Sequence, residues 1–478
     1  MEDITPENTN VSENVQPTPA ETPIETPMET PAPVIQPQPK GKKELPVFEW
    51  FRSNLEVFLI AFVLAMTIRC FCIDGYKIPS SSMEPTLIGN QRYGDRIIAN
   101  KFNIFFDKIK RFDIILFKYP LDQTKNFVKR VVGLPNEEIQ IAGGEIFSKP
   151  KDSPKFTIVK KPISIQQSIW IPFWTWKPDM EFLKDTWFTP APDLYELKGS
   201  KLLFHPERST DGKIALMLNE RVMDKYNGRG GNNVVPDIKL SFKCCFTDKE
   251  GTLKATINTY IGKFTLSISP KEEMVLELDN IRIAAIPKKV QAQKECLIDI
   301  MNFDCGFYIF ADGEKVYSYE YELFKEAIIS NMITSPQITL TIQKSEIALS
   351  GIKILRDIYY SVDNSDAVIT IPPDKYFVIG DNVNNSRDSR AWRMKIIHLK
   401  NGKVIYADSE YFRHSSDRYE VFRTSDNKGG DIWGNSYIIK SSDVDHVDET
   451  EYPFVGINNI FGKALFVYWP MARLKIIR

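Results

Sequence analysis

The sequence predicts a mainly β protein, with one N-terminal membrane-spanning helix and a β-domain into which a large β-sandwich is set. Three observations predict it. The segment Leu55–Ile73 carries charge only at Glu56 and Arg69, near its ends, and a spanning helix needs about 20 such apolar residues. After it, short runs of β-branched and aromatic residues alternate with turn residues through most of the chain. Within 151–365 such runs recur at the short, regular spacing of a sandwich.

The chain has 478 residues, enough for two or more domains. A formal net charge of −1 offers no field for nucleic acid. Six cysteines are too few for a disulfide-built scaffold. Cys70 and Cys72 fall in the apolar segment and read as free. Cys244, Cys245, Cys296 and Cys305 leave room for one bridge, and spacing singles out no pair. No C-x-x-C pair or His-rich cluster points to a metal, so no metal or cofactor is expected.

In chain order, residues 1–40 are rich in Pro, Thr, Glu and Gln and read as a disordered tail. A basic start followed by an apolar core is missing, so the tail is not a cleavable signal peptide. Residues 41–54 are a basic juxtamembrane stretch, with Lys40, Lys42, Lys43 and Arg52 close by. This bias puts the tail in the cytoplasm and everything after the span, 55–73, outside.

Residues 74–150 form the first part of the β-domain, with strands at Arg96–Ala99, Ile114–Phe117, Phe127–Val132 and Ile139–Ile141. Residues 151–365 are the inserted sandwich, with strands at Lys239–Phe242, Lys254–Tyr260, Phe264–Ile268, Met274–Leu278, Gly306–Phe310, Val316–Tyr321 and Gln337–Gln343. Asp312-Gly313 marks a hairpin turn between two of them. Trp170, Phe173, Trp174, Trp176, Phe182, Trp187 and Phe188 open the insert and read first as its core, then as a membrane-surface or sugar-contacting patch. The run Asn227-Gly228-Arg229-Gly230-Gly231-Asn232-Asn233 reads only as a flexible loop, because it lacks the strand–helix context of a phosphate cradle. A second insertion, 393–453, is charged and polar, with strands at Lys403–Tyr406 and Tyr437–Ile439.

The stretch with the most chemistry is Ile78-Pro79-Ser80-Ser81-Ser82-Met83-Glu84-Pro85. Two prolines fix φ at its ends, so it is extended or turning, and such a segment presents a hydroxyl outward. A serine hydroxyl needs a base to become a nucleophile. The four histidines, His205, His398, His414 and His446, all lie in stretches that read as loop or insertion. The nearer base is Lys129, which with Arg130 interrupts the apolar strand Phe127–Val132. Arg130 alternates to the opposite face of that strand.

These residues resemble the boxes of type I signal peptidases, membrane-bound Ser/Lys proteases that cut signal peptides from exported proteins. Ile78–Leu87 resembles their nucleophile box and Asn126–Pro135 their lysine box. Gly94–Phe102 and Arg111–Pro120 resemble the strands between. Gly380-Asp381-Asn382-Val383-Asn384-Asn385-Ser386-Arg387-Asp388-Ser389-Arg390 resembles the last catalytic box. The return to the β-domain at 366–392 and the closing strand at 454–478 are what this resemblance implies. The resemblance covers well under half the chain, and Lys129 and Asp381 are further apart than a compact domain of that family requires. It implies that Ser82 is the nucleophile and Lys129 the general base. It implies that the Ser82 N–H and the Ser80 hydroxyl form the oxyanion hole, and that Ser386 orients the lysine. Asp381, Asp388 and Arg390 become supporting groups. It further implies signal-peptide substrates with small residues before the cut, contact with membrane lipid, and an oxidising compartment outside the bacterial cytoplasmic membrane.

Two positions depart from the pattern: Val383 and Asn384 stand where many members have Arg and Asp. Phe310–Val316 is similar to hairpins in lectin-like jelly rolls. Two readings from other classes compete. One is an inactive membrane-anchored binding protein that uses the sandwich, against which Ser80, Ser82, Lys129 and Ser386 all stand. The other is a Ser/Lys self-cleaving regulator, against which the apolar span stands.

Overall fold

The computed structural model describes residues 47–102, 108–178, 185–188, 192–323, 328, 333, 337–426 and 435–477. The predicted tail and Phe182 lie outside them. The chain divides into two units, residues 1–63 and 64–478. One α-helix runs Val47–Phe71. Its stretch Ser53–Phe71 has a mean hydropathy of 1.8 and no buried part, so it is long and apolar enough to cross a membrane. The helix stops short of the expected Ile73. That residue opens the strand Ile73–Lys77, in which it pairs with Asn100.

In the second unit the β-domain into which the insert is set is one eight-stranded sheet. Its order is Ile73–Lys77, Arg96–Asn100, Ile460–Trp469, Ile114–Tyr119, Asp122–Gly133, Lys375–Ile379 and Val455–Gly456, with Lys475–Ile476 added on Ile460–Trp469. The strand Ile460–Trp469 thus lies between Arg96–Asn100 and Ile114–Tyr119. A four-stranded sheet adjoins it, with Glu137–Ala142 and Glu145–Pro150 at its centre and Ile369–Thr370 and Thr157–Ile158 at its edges.

The insert is a sandwich. One sheet is built on Ile238–Phe246, Cys296–Phe303, Gly306–Ala311 and Ile347–Arg356; the other on Lys213–Leu218, Thr252–Thr259, Gly262–Ile268, Met274–Leu278 and Ile338–Gln343. Phe242, Ile300 and Ile354 from the first meet Leu216, Ile257, Leu266 and Leu340 from the second in one core. Alternation along each strand sends every second side chain into that core. Trp174, Trp176 and Trp187 belong to it, and Phe173 packs against it. Trp170 joins a smaller cluster with Phe303 and Tyr308, whereas Phe188 is exposed. The hairpin turn falls at Asp312-Gly313, both at positive φ. The second insertion is a sheet of its own: Arg393–Leu399, Val404–Asp408, Arg418–Asp426, Asn435–Lys440 and Val444–Glu451 pair around a core of Ile397, Ile405 and Val421. All six cysteines are free thiols.

Candidate functional site

The segment after Pro79 makes a single 3-10 turn, Ser81–Met83, between extended residues Ser80 and Glu84. Met83 and Leu87 anchor it in the core beside Ile78 and Ile97. The turn leaves Ser82 at the floor of a cleft of about 600 Å³, which Ile78, Ser80, Leu116, Phe127, Val128 and Lys129 also line. None of the four histidines lines this cleft.

Lys129 comes from the long strand Asp122–Gly133 and is 3% exposed. Its Nζ stands 2.5 Å from Ser82 Oγ and 5.8 Å from the centroid of the Phe127 ring. Burial lowers its pKa to about 8; the Asp388 and Asp381 carboxylates oppose that fall and the Arg390 charge adds to it. A lysine so placed is neutral in a large fraction at mildly alkaline pH, and a neutral amine can take a hydroxyl proton. Ser80 Oγ lies 3.5 Å from Ser82 Oγ and lines the same cleft.

The last box packs against this turn from behind. Asn382 N–H donates to the Ser82 carbonyl at 3.1 Å, and its Nδ2 donates to the Ser81 carbonyl at 3.0 Å. Such proximity requires glycine at 380: a Cβ there would stand 2.4 Å from the Ser82 carbonyl oxygen. Asp388 accepts a bidentate pair from Arg390, 2.8 Å at both oxygens, and its Oδ2 also accepts the Gly380 N–H at 3.1 Å. Arg390 in turn donates to the carbonyls of Ser361 and Val383. Asp381 accepts from Arg130 at 2.8 and 2.7 Å and from Thr86 Oγ1 at 2.5 Å.

Ser386, which the resemblance implies would orient the lysine, makes no hydrogen bond to it here. Among the described residues its Oγ has no hydrogen-bond partner. The oxygen lies over Gly380, in the space a side chain there would fill, and makes no bond to the lysine. Sequence reasoning also missed four contributors. Arg130 and Thr86 hold Asp381, while Asn382 and Asn385 grip Ser81, with Asn385 Nδ2 2.6 Å from Ser81 Oγ. Only Arg130 left a signal, as a fully charged residue in a buried strand.

The departures at 383 and 384 have a local reason. Val383 is buried in an apolar cluster with Ile171 and Ile358, where an arginine would lose its hydration. Asn384 Nδ2 donates to Asp224 Oδ2 at 3.2 Å, where an aspartate would set two carboxylates face to face.

A second charged cluster lies away from the cleft. Glu145, Asp237 and Asp304 bring one oxygen each within 4.8 Å of one another, a set that could hold a metal ion. The Lys161 ammonium already pairs there with Asp304 and, at 2.9 Å, with Asp357.

The family model for signal peptidase, peptidase S26, matches residues 49–162 and 333–406. The unmatched stretch between them holds most of the sandwich. Signal peptidase I of Leptolyngbya laminosa is 36% identical over 113 residues, 22% of this chain and 51% of that protein. Signal peptidase I V of Bacillus subtilis is 34% identical over 102 residues, 21% of this chain and 55% of that protein. Signal peptidase I of Buchnera aphidicola subsp. Baizongia pistaciae is 36% identical over 109 residues, 20% of this chain and 33% of that protein. The chain therefore spans between a third and little more than half of these curated relatives. Among solved structures, a carbohydrate-binding module from Bacillus subtilis aligns with 36% of this chain and 95% of its own, at 11% identity and a TM-score of 0.25. The laminarinase catalytic domain from Thermotoga maritima covers 39% of this chain and 98% of its own, at 8% identity and a TM-score of 0.27. Likeness at these scores assigns no ligand to the sandwich.

Proposed function

We propose that this chain, which belongs to the signal peptidase family of S26 peptidases, is a membrane-anchored serine endopeptidase that removes signal peptides from exported preproteins. The observation that carries the reading is the 2.5 Å approach of the Lys129 amine to the Ser82 hydroxyl in an open, largely apolar cleft. In this mechanism neutral Lys129 takes the Ser82 proton as Oγ attacks the scissile carbonyl. The Ser82 N–H and Ser80 hydroxyl receive the developing oxyanion. The tetrahedral centre collapses and expels the mature protein's amine, which carries away the proton from Lys129. Lys129 then takes a proton from a water that attacks the acyl-Ser82 ester and returns it to the departing Ser82 Oγ, which frees the signal peptide and restores the dyad. Ser386 is the residue proposed to orient the lysine once substrate fills the cleft, and Asp381, Asp388 and Arg390 keep the last box rigid behind the turn.

The pH dependence tests the base. Lys129 must be neutral, and its neutral fraction rises with pH through about 8. The cleavage rate at subsaturating substrate should therefore rise about tenfold per pH unit below that value and level off above it. A rate that is flat from pH 6 to 9 would remove Lys129 as the base.

The anchor is proposed to be the helix that includes Ser53–Phe71, with the tail in the cytoplasm, as Lys40, Lys42 and Lys43 suggest. Protease added to intact spheroplasts should digest the chain after residue 75 and spare the tail. Loss of the tail with protection of the rest reverses the orientation.

A further inference from the structure

One loop of the inserted sandwich reaches the catalytic box from outside the family-matched residues. It is the run Asp224–Asn233, of which the sequence alone marks only 227–233, as a flexible loop. In the structure it is a hairpin: Tyr226 and Arg229 exchange backbone hydrogen bonds at 2.9 and 3.0 Å. Asp224 ties its two ends together by accepting the Gly231 N–H at 2.8 Å, the Asn233 N–H at 3.2 Å and Asn233 Nδ2 at 2.9 Å. Burial pushes the Asp224 carboxyl up, but the bonds from Asn233, Asn384 and Gly231 outweigh it and hold the group below its ordinary value. The buried Arg356 guanidinium fixes the base of the loop from the sandwich side, donating to the Asp224 and Lys225 carbonyls at 3.0 and 3.2 Å.

The loop, base and tip together, then makes three contacts with the peptidase boxes. Asn227 Nδ2 donates to Glu84 Oε2 at 3.3 Å, two residues after Ser82. Asn384 Nδ2 donates back to Asp224. Arg229 donates to Asn385 Oδ1, and the same amide's Nδ2 donates to Ser81 Oγ at 2.6 Å. The chain of donors therefore runs from Arg229 through Asn385 to the residue beside the nucleophile. Backbone shape is specified as well: Gly230 has φ +75°, and a Cβ there would stand 2.1 Å from Asn384 Nδ2. The two departures from the family box, Val383 and Asn384, are the residues that face the insert.

We infer that the loop Asp224–Asn233 is a positioning element of the active site: it clamps the nucleophile turn and the last box, so the insert supports turnover rather than substrate capture. The inference rests on the peptidase reading above. A displacement of reacting groups by about 1 Å can cost on the order of 100-fold in rate, so loss of one clamp bond should act on kcat.

The test uses full-length protein in detergent with a preprotein substrate, comparing wild type, Arg229→Ala, Arg229→Lys and Gly230→Ala. Two readouts are taken: kcat and KM separately, and amide hydrogen exchange of peptides covering 81–87 and 382–386. Arg229→Ala is expected to lower kcat about tenfold with KM within about twofold. Exchange in those two peptides should quicken about tenfold while the sandwich core is unchanged. Arg229→Lys, which still offers a donor to Asn385, should recover most of both, and Gly230→Ala should reproduce Arg229→Ala. Unchanged exchange in both peptides overturns the inference, as does faster exchange with unaltered kcat, or a rise in KM alone. If wild type leaves the preprotein intact, the peptidase reading fails, and the exchange result by itself decides whether the loop holds the turn.

Discussion

Lys129→Ala is expected to abolish preprotein cleavage as fully as Ser82→Ala, by about 10⁴-fold or more, with little further loss in the double variant. On the proposed mechanism the two side chains act as one unit, because the Lys129 amine lies 2.5 Å from the hydroxyl it must deprotonate. Lys129→Arg should be equally inactive, because a guanidinium stays protonated at any working pH. Stability should move the other way. Burial holds the Lys129 pKa at about 8 in the folded chain, against an ordinary 10.5. Below pH 8 the amine is charged in both states, and its burial then costs the fold about 3 kcal/mol, relieved as pH climbs from 8 to 10.5. Lys129→Met should therefore melt higher than wild type at pH 7 while cleaving nothing. Substantial cleavage by Lys129→Ala would remove the dyad.

Breaking the Arg130–Asp381 pair should be the most destabilising single change near the site. Both side chains are fully buried, and the guanidinium also donates to the Phe112 carbonyl at 2.8 Å. Removing one partner leaves an unpaired buried charge, a loss of about 3–5 kcal/mol. In a unit this large each kcal/mol lowers the melting midpoint by roughly 2–4 °C, so Asp381→Ala or Arg130→Ala should lose on the order of 10 °C. The apolar double variant Arg130→Met/Asp381→Leu should regain most of that loss. A midpoint for Asp381→Ala within a degree of wild type would show that the pair carries little.

How far the sequence foretold these features differs by type. The strand around Lys129 was legible because apolar residues flank a lone pair of charges, and the turn at Ser81–Met83 because two prolines bracket it. The sandwich was legible where alternation is clean, as in Thr252–Thr259 and Gly262–Ile268. Its strand Ile347–Arg356 was not, since Gly351 at φ +57° and Ser350 interrupt the alternation while the ladder to Ile238–Phe246 slips register. In the second insertion Val444–Glu451 hides its strand character because nearly all of its side chains face water. The Arg130–Asp381 pair and the Arg229–Asn385 contact join residues far apart in the chain, and no local pattern encodes such a meeting. The loop at 227–233 shows the same limit: its glycines announce a turn, but what the turn grips depends on where the sandwich is set into the β-domain.

The most direct measurement of the central claim is cleavage of an exported preprotein, with small residues before its signal-peptide junction, by the purified full-length protein in detergent. The account predicts one cut at that junction, read from the mass of the mature product, and none when Ser82→Ala replaces wild type. An intact preprotein with wild type, or equal cutting by Ser82→Ala, would contradict it.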